Sequence, residues 1–266
     1  MSKSMRVWAT VLLAASAGMA GGCGALGTGA ASPRPEPSPS AQAPLPPRQA
    51  LRKSIELVAR STFRLTFKDA GSTTTAAVDP AARNASMHSQ KGSGEHRQAV
   101  QMRQIGDRLW MKLQASGVLT DAIPQQWMRI DPARLQRPQE MHLVQPDPTT
   151  ATTVLDHIVT VTGGDDHYTG TVDLTATPKK QLITGFTLDK DALGRLGDRA
   201  KALPFDATTD EQGRLVQLTV SVPSVGDQPA YADVLTLHHF GLKVTPKAPA
   251  GAIDAVEYIY VIANSQ

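Results

Sequence analysis

Ser61-Thr62-Phe63-Arg64-Leu65-Thr66-Phe67-Lys68 alternates strictly: Phe63, Leu65 and Phe67 on one side, Thr62, Arg64, Thr66 and Lys68 on the other. Period-two alternation marks a strand with one face buried and the other wet. Just before it, Gln49 to Arg60 carries Leu51, Ile55, Leu57 and Val58 near helical spacing, with Arg52, Lys53, Glu56 and Arg60 between them. That pattern predicts an amphipathic helix. A one-sided helix feeding a one-sided strand sets the theme for the chain, because each needs the other's apolar side.

Downstream the alternation repeats. Asp69-Ala70-Gly71-Ser72 is turn-like and leads to strands over Thr73–Val78 and Asn84–Gln90, with Pro80 between them. Lys91-Gly92-Ser93-Gly94 reads as a loop. Arg97–Ile105 and Arg108–Gln114 flank Gly106-Asp107, the length of a tight hairpin. Gln126–Ile130 is a further strand, and Asp131-Pro132 can cap a short helix to Gln136. The middle changes character. Met141 to Pro148 is an interrupted loop, and Thr149–Val161 holds Val154, Leu155, Ile158 and Val159 at helical spacing, ending at Gly163-Gly164. Tyr168–Thr177 alternates again. Leu188–Leu203 reads as a helix stopped by Pro204, with Leu193, Leu196, Ala200 and Leu203 on one side. Gly213–Val222 and Tyr231–Phe240 read as strands, and Ala252–Ala263, rich in β-branched and aromatic residues, as another. The sum is α+β. A strongly curved antiparallel sheet, a half-barrel with helices covering its concave face, satisfies strands that are apolar on one side only; a flat sheet under a packed helical layer satisfies them too.

The front of the chain is different. Lys3 and Arg6 precede an apolar run, Val7–Met19, and the small residues Ala20-Gly21-Gly22 precede Cys23. This is the layout of a secretory signal over residues 1–22, and the run falls short of the ~20 apolar residues of a membrane span. Cys23 is the only cysteine, so no internal disulfide can form. Ala20-Gly21-Gly22-Cys23 resembles a bacterial lipobox, departing from it in having Ala20 where Leu is usual. The resemblance implies that Cys23 receives a diacylglycerol and anchors the chain on the extracytoplasmic face of the cell membrane. Two acyl chains, at about 0.8 kcal/mol per buried CH₂, hold such an anchor stably. An ordinary secreted protein with a leftover thiol is the competing reading. Residues 23–47, rich in Pro, Ala and Ser, form a tether: Arg34-Pro35-Glu36-Pro37-Ser38-Pro39 and Pro44-Leu45-Pro46-Pro47 favour extended, spacer-like conformations.

Residues 48–266 suit one domain with a sizeable core. The chain carries a formal +3, or +1 without Lys3 and Arg6, and no basic stripe. That argues against a nucleic-acid partner. No Gly-x-Ser-x-Gly elbow, phosphate-cradling loop or His-Glu-x-x-His is present, so neither enzyme chemistry nor a cofactor is expected. Asp165-Asp166-His167 and the pair His238-His239 are the remaining metal-donor types. Adjacent residues of a regular strand face opposite sides, so His238 and His239 are not expected to share an ion, and no metal site is assigned.

In its order of elements the chain resembles the half-barrel lipoprotein superfamily of LolA and the actinobacterial LppX/LprG lipid carriers. The features are the lipobox, the Pro-rich tether, the helix leading into Thr62–Phe67, the Gly106-Asp107-Arg108-Leu109-Trp110 hairpin and Trp127-Met128-Arg129-Ile130-Asp131. The resemblance covers most of residues 48–250 and rests on architecture. It implies a monomeric, membrane-anchored carrier of an acyl-chain or glycolipid ligand. The apolar residues that would line the cavity are Phe63, Leu65, Phe67, Leu109, Met111, Leu113, Met128, Ile130, Leu155, Ile158, Val159, Val172, Leu174, Leu193, Leu196, Val216, Leu218 and Val220. The same residues could simply pack a core. An anchored interaction or sensor module without a small ligand is the alternative function.

Overall fold

The computed structural model describes residues 44–92, 97–115, 124–144, 147, 149–176, 186, 188 and 190–264. The predicted opening holds. Helix α1 spans Pro47–Ala59, with Pro47 in its first turn, and buries Leu51, Ser54, Ile55 and Val58. Proline is tolerated there because the first helical N–H groups have no intrahelical acceptor. Strand β1 (Phe63–Lys68) buries Phe63, Leu65 and Phe67 and turns Arg64 and Lys68 outward.

Strands β2 (Ser72–Asp79), β3 (Asn84–Lys91), β4 (Gln98–Ile105), β5 (Arg108–Ala115) and β6 (Met128–Ile130) follow, with short helices α2 (Pro138–Met141) and α3 (Ala151–Asp156) after them. The second half holds β7 (Ile158–Gly164), β8 (His167–Val172), α4 (Lys190–Leu196), β9 (Leu203–Thr209), β10 (Leu215–Val222), β11 (Tyr231–His238), β12 (Ile253–Asp254) and α5 (Glu257–Asn264). The twelve described strands form one sheet in the order β12-β6-β5-β4-β3-β2-β1-β11-β10-β9-β8-β7. It consists of two meanders, β1–β6 and β7–β11, joined where β11 pairs antiparallel with β1. Among the described strands only β12, beside β6, runs parallel to its neighbour. The sheet stays open, with β12 and β7 at its edges. The architecture is α+β, dominated by a large, mostly antiparallel sheet with few helices.

Register carries the buried side of β1 across the sheet. Leu65 lies opposite Ala76, Ala76 opposite Met87, Met87 opposite Met102, Met102 opposite Met111, and Met111 opposite Met128. In the other direction Leu65 faces Leu237, Leu218 faces both Leu235 and Ala207, and Val220 faces Phe205. These side chains join Leu51, Ile55 and Val58 of α1, Val154 and Leu155 of α3 and Leu196 of α4 in one buried cluster. Gln104 is a polar member of this face. Its Oε1 accepts from the backbone N–H of Leu143 (2.7 Å) and Val144 (3.1 Å), and its Nε2 donates to Gly106 O (2.9 Å). It thereby ties the segment after α2 to the sheet with both amide atoms bonded.

Several expectations needed correction. The helix read over Thr149–Val161 stops at Asp156, and the chain continues as β7. The helix read over Leu188–Leu203 ends by Lys201, and Leu203 and Pro204 open β9, a strand not anticipated from the sequence. Ala252–Ala263 is no strand: only Ile253–Asp254 pairs, and α5 buries Ile259 and Tyr260. Intrinsic β-propensity is weak against such tertiary anchoring: Tyr260 Oη accepts from Asp131 N (2.9 Å), and the Arg134 guanidinium stacks on its ring at 4.0 Å. Asp131 caps as expected, accepting from Ala133 N at 3.0 Å, but the helix read to Gln136 is a single 3₁₀ turn, Pro132–Arg134.

Gly170 in β8 sits where a Cβ would lie 2.0 Å from Thr160 O of β7 and 2.8 Å from the Phe205 ring. Phe205, its register partner, covers the vacancy. Gly170→Ala is expected to destabilise the fold by ~1–3 kcal/mol through overpacking. Urea unfolding of the variant beside the parent checks this; an unchanged midpoint would show that β7 yields freely.

Candidate functional site

The candidate lining residues mostly fall on one side of the sheet. Phe63, Leu65 and Phe67 are central; Leu109 and Ile130 face one another on β5 and β6, as do Met111 and Met128. Leu155, Ile158, Val172, Leu174, Leu196, Leu218 and Val220 are buried in the same cluster, and Leu113 and Leu193 are half-buried against it. Two depart. Val159 is 51% exposed, because the chain leaves α3 before it and a register shift between Ile158 and Thr160 turns it outward. Val216 is half-buried, because a bulge between Leu215 and Gln217 puts Leu215 into the core in its place. Cys23, the signal over residues 1–22 and the tether as far as Ala43 lie outside the described residues.

Four of the methionines therefore line up. Met87, Met102, Met111 and Met128 stand in register on four adjacent strands, all buried on the apolar side. Methionine is unbranched and polarisable, so such a row fits an irregular or changing apolar surface at small cost. The sequence reading singled out Met111 and Met128; Met102 and Met87 carry the same signal once the register is known.

The other side of the sheet is mostly polar, with an apolar patch over β4–β6. There Trp110, 5% exposed, stands opposite Arg103 and Arg129. Arg103 stacks on Trp127 at 4.5 Å and donates to Lys247 O (2.9 Å), which ties the segment after β11 to this side of the sheet. Arg129 pairs with Asp254 at 2.6 Å. This patch is a second small packing site.

A surface cavity of about 590 Å³ opens where β9 begins, β10 ends and β11 begins, lined by Arg199, Ala202, Leu203, Pro204, Ser221, Val222, Pro223, Ala230 and Tyr231. None of the candidate residues lines it. Leu203, Val222 and Tyr231 carry the apolar phase of their strands and Pro204 and Ser221 the outward phase, so the cavity lies across the strand ends. One row further in, Val220 faces Asp233. Asp233 is 2% exposed, and its Oδ1 has no hydrogen-bond partner among the described residues. Burial raises its pKa to about 7, with nearby Asp69 adding to the effect. The sequence did contain the signal: Asp233 shares the phase of Leu235 and Leu237, a carboxyl on the apolar beat of a strand.

His238 and His239 do meet, contrary to the expectation for a regular strand. β11 ends at His238, and His239 has φ 53°, which swings the rings together with their Nδ1 atoms in contact. Burial, then His239 and Arg64, lower the pKa of His238. His167 Nε2 lies 2.6 Å from Asp206 Oδ2 on the exposed side of β8 and β9. Among the described residues no three His, Cys, Asp or Glu gather as metal ligands, and no helix is long and apolar enough to cross a membrane. No protein-family model matches the chain, and no curated protein matches it.

Asp233 makes stability depend on pH in a known direction. Its folded pKa of about 7 lies above the ordinary carboxylate value of 3.8, so the folded state holds the proton more tightly. Stability is greatest below the unfolded pKa and falls as pH rises through that window. Asp233→Asn is expected to flatten this decline and to stabilise the protein at pH 8 by a few kcal/mol. Thermal unfolding of both proteins across pH 4–8 reads it; parallel curves would contradict the burial argument.

Proposed function

We propose that the chain is a membrane-anchored extracytoplasmic lipoprotein that binds and carries a lipid or lipid-linked molecule against the apolar side of its sheet. Cys23 holds the diacylglycerol anchor, residues 24–47 space the domain from the bilayer, and the sheet curves as a half-barrel with helices over its concave side. No catalytic step is assigned, and the working unit is a monomer.

The observation that carries this reading is the continuous apolar side, with the methionine row from Met87 to Met128 at one end and Leu203, Val222 and Tyr231 reaching a solvent-open cavity at the other. A twelve-stranded sheet is roughly 50 Å across at ~4.8 Å per strand. The described helices that contribute to this core are short; α1, at 13 residues, is about 20 Å long. The remaining cover comes from segments around Leu143, Thr149, Leu174, Phe186 and Leu188, all buried. A cover made of short pieces opens locally at lower cost than a continuous helical layer. Ligand cavities for molecules of this kind run to roughly 300–1,000 Å³ and are mostly apolar.

A second reading, an anchored interaction module without a small ligand, is favoured by Tyr258 and Val261, which stand exposed one turn apart on α5.

Two measurements test the proposal. Radiolabelled palmitate fed to a bacterium expressing the chain is expected to label it, and Cys23→Ser to abolish the label; equal labelling of both would remove the anchor. The Cys23→Ser protein, purified without detergent, is expected to carry about one acyl-chain ligand per molecule by native mass spectrometry. Ligand-free protein that binds no added lipid would favour the interaction module.

A further inference from the structure

We propose that the carboxyl of Asp233 receives the ammonium group of an amine-bearing amphiphile, of the aminophospholipid class, entering through the cavity at the ends of β9, β10 and β11. The inference rests on the lipid-carrier reading and names the headgroup chemistry.

A core that only packs has no use for this residue. Its strand neighbours in the same phase are Leu235 and Leu237, its cross-strand partner is Val220, and an apolar side chain would serve there. Gln104 marks the contrast, since it is equally buried but each of its amide atoms is bonded. A buried carboxylate without a partner is costly and calls for a cation or a donor. The charged and titratable groups around it give the sign. Asp69, in the turn after β1, adds negative potential. Tyr231 stands one row outward on the same side of β11, while Lys68 turns to the other side of the sheet with Val234. Phe67, Phe205 and Val220 are the uncharged neighbours by register. Among the described residues the site is thus acidic and unpartnered, one row inside the Val222–Tyr231 pair that lines the cavity.

The groove supplies the rest of the match. Its walls, Leu203, Val222 and Pro223 among them, suit hydrocarbon, and Arg199 lines it with a guanidinium. A phosphate beside Arg199 and an ammonium at Asp233 are the two charges of an aminophospholipid head. A neutral Asp233 cannot hold the cation, so binding is coupled to its ionisation. In the free protein that ionisation falls near pH 7, whereas the lipid amine and phosphate keep their charges through the same range.

Short-chain phosphatidylethanolamine and phosphatidylglycerol, with matched acyl chains, are the probes. Both carry the phosphate and only the first carries the ammonium. Equilibrium binding of each radiolabelled lipid to the full-length protein is measured from pH 5.5 to 8.5. Affinity for phosphatidylethanolamine is expected to rise by about tenfold per pH unit below pH 7 and to level off above it. Phosphatidylglycerol is expected to bind at least tenfold more weakly at pH 8 and without that dependence. Asp233→Asn is expected to erase both the difference between the lipids and the pH dependence of phosphatidylethanolamine binding. Equal, pH-independent binding of both lipids by the parent protein overturns the assignment of Asp233 and leaves the carrier reading standing. Failure to bind either lipid overturns both.

Discussion

Strand alternation places the large apolar side chains of this open sheet on one side, and the rest of the molecule follows from the need to cover them. A closed barrel would hide such a side within itself. Here the sheet ends at β12 and β7, so the cover must come from elsewhere in the chain. Helix α1 supplies the longest piece and packs on β7, β10 and α3. The polar ties are few and placed where cover meets sheet: Gln104 holds the segment after α2, and Arg48 donates to Ile158 O at 2.6 Å beside the β7 edge. The net hydrophobic gain is large in aggregate, about 25 cal/mol per Å² of apolar surface removed from water, but it is gathered from many separate pieces.

That division has a functional consequence. A side chain such as Leu65, in the middle of the sheet, is held by neighbours on both flanking strands and has no route to solvent. Val222 and Tyr231, at the strand ends, border open space. On the proposed carrier reading the cover opens at the strand ends and along the row of methionines, whose unbranched side chains adapt at small cost. Asp233 lies one row inside the Val222–Tyr231 pair at the open end, deep enough to lose its water. The same location explains why its carboxyl is held protonated to about pH 7.

Much of the sheet was legible because alternation is a local signal. Phe63-Arg64-Leu65-Thr66-Phe67 announces its buried side, and Gly106-Asp107 announces the β4–β5 hairpin, where Gly106 adopts φ 59°. What failed to show is set by distant contacts. β9 begins at Leu203-Pro204, a pair that reads as a stop, and becomes a strand because β8 and β10 flank it. The bulge that exchanges Val216 for Leu215 has no composition signature. Glu257–Asn264 is helical because Tyr260 reaches Asp131 and Asn264 reaches Gln136, partners more than a hundred residues away. The open groove was invisible for the same reason: Leu203, Val222 and Tyr231 come together only through the order of strands.

The central claim is that hydrocarbon reaches the apolar side of the sheet. A lipid bearing a photoreactive diazirine along its acyl chain, irradiated with the full-length protein and mapped by peptide mass spectrometry, tests it most directly. The account predicts adducts on Met111, Met128, Val220 and Val222, and none on the outward residues Arg64, Thr66 and Thr219. Adducts confined to outward-facing residues or to the exposed side of α5, with the apolar side unlabelled, would contradict it.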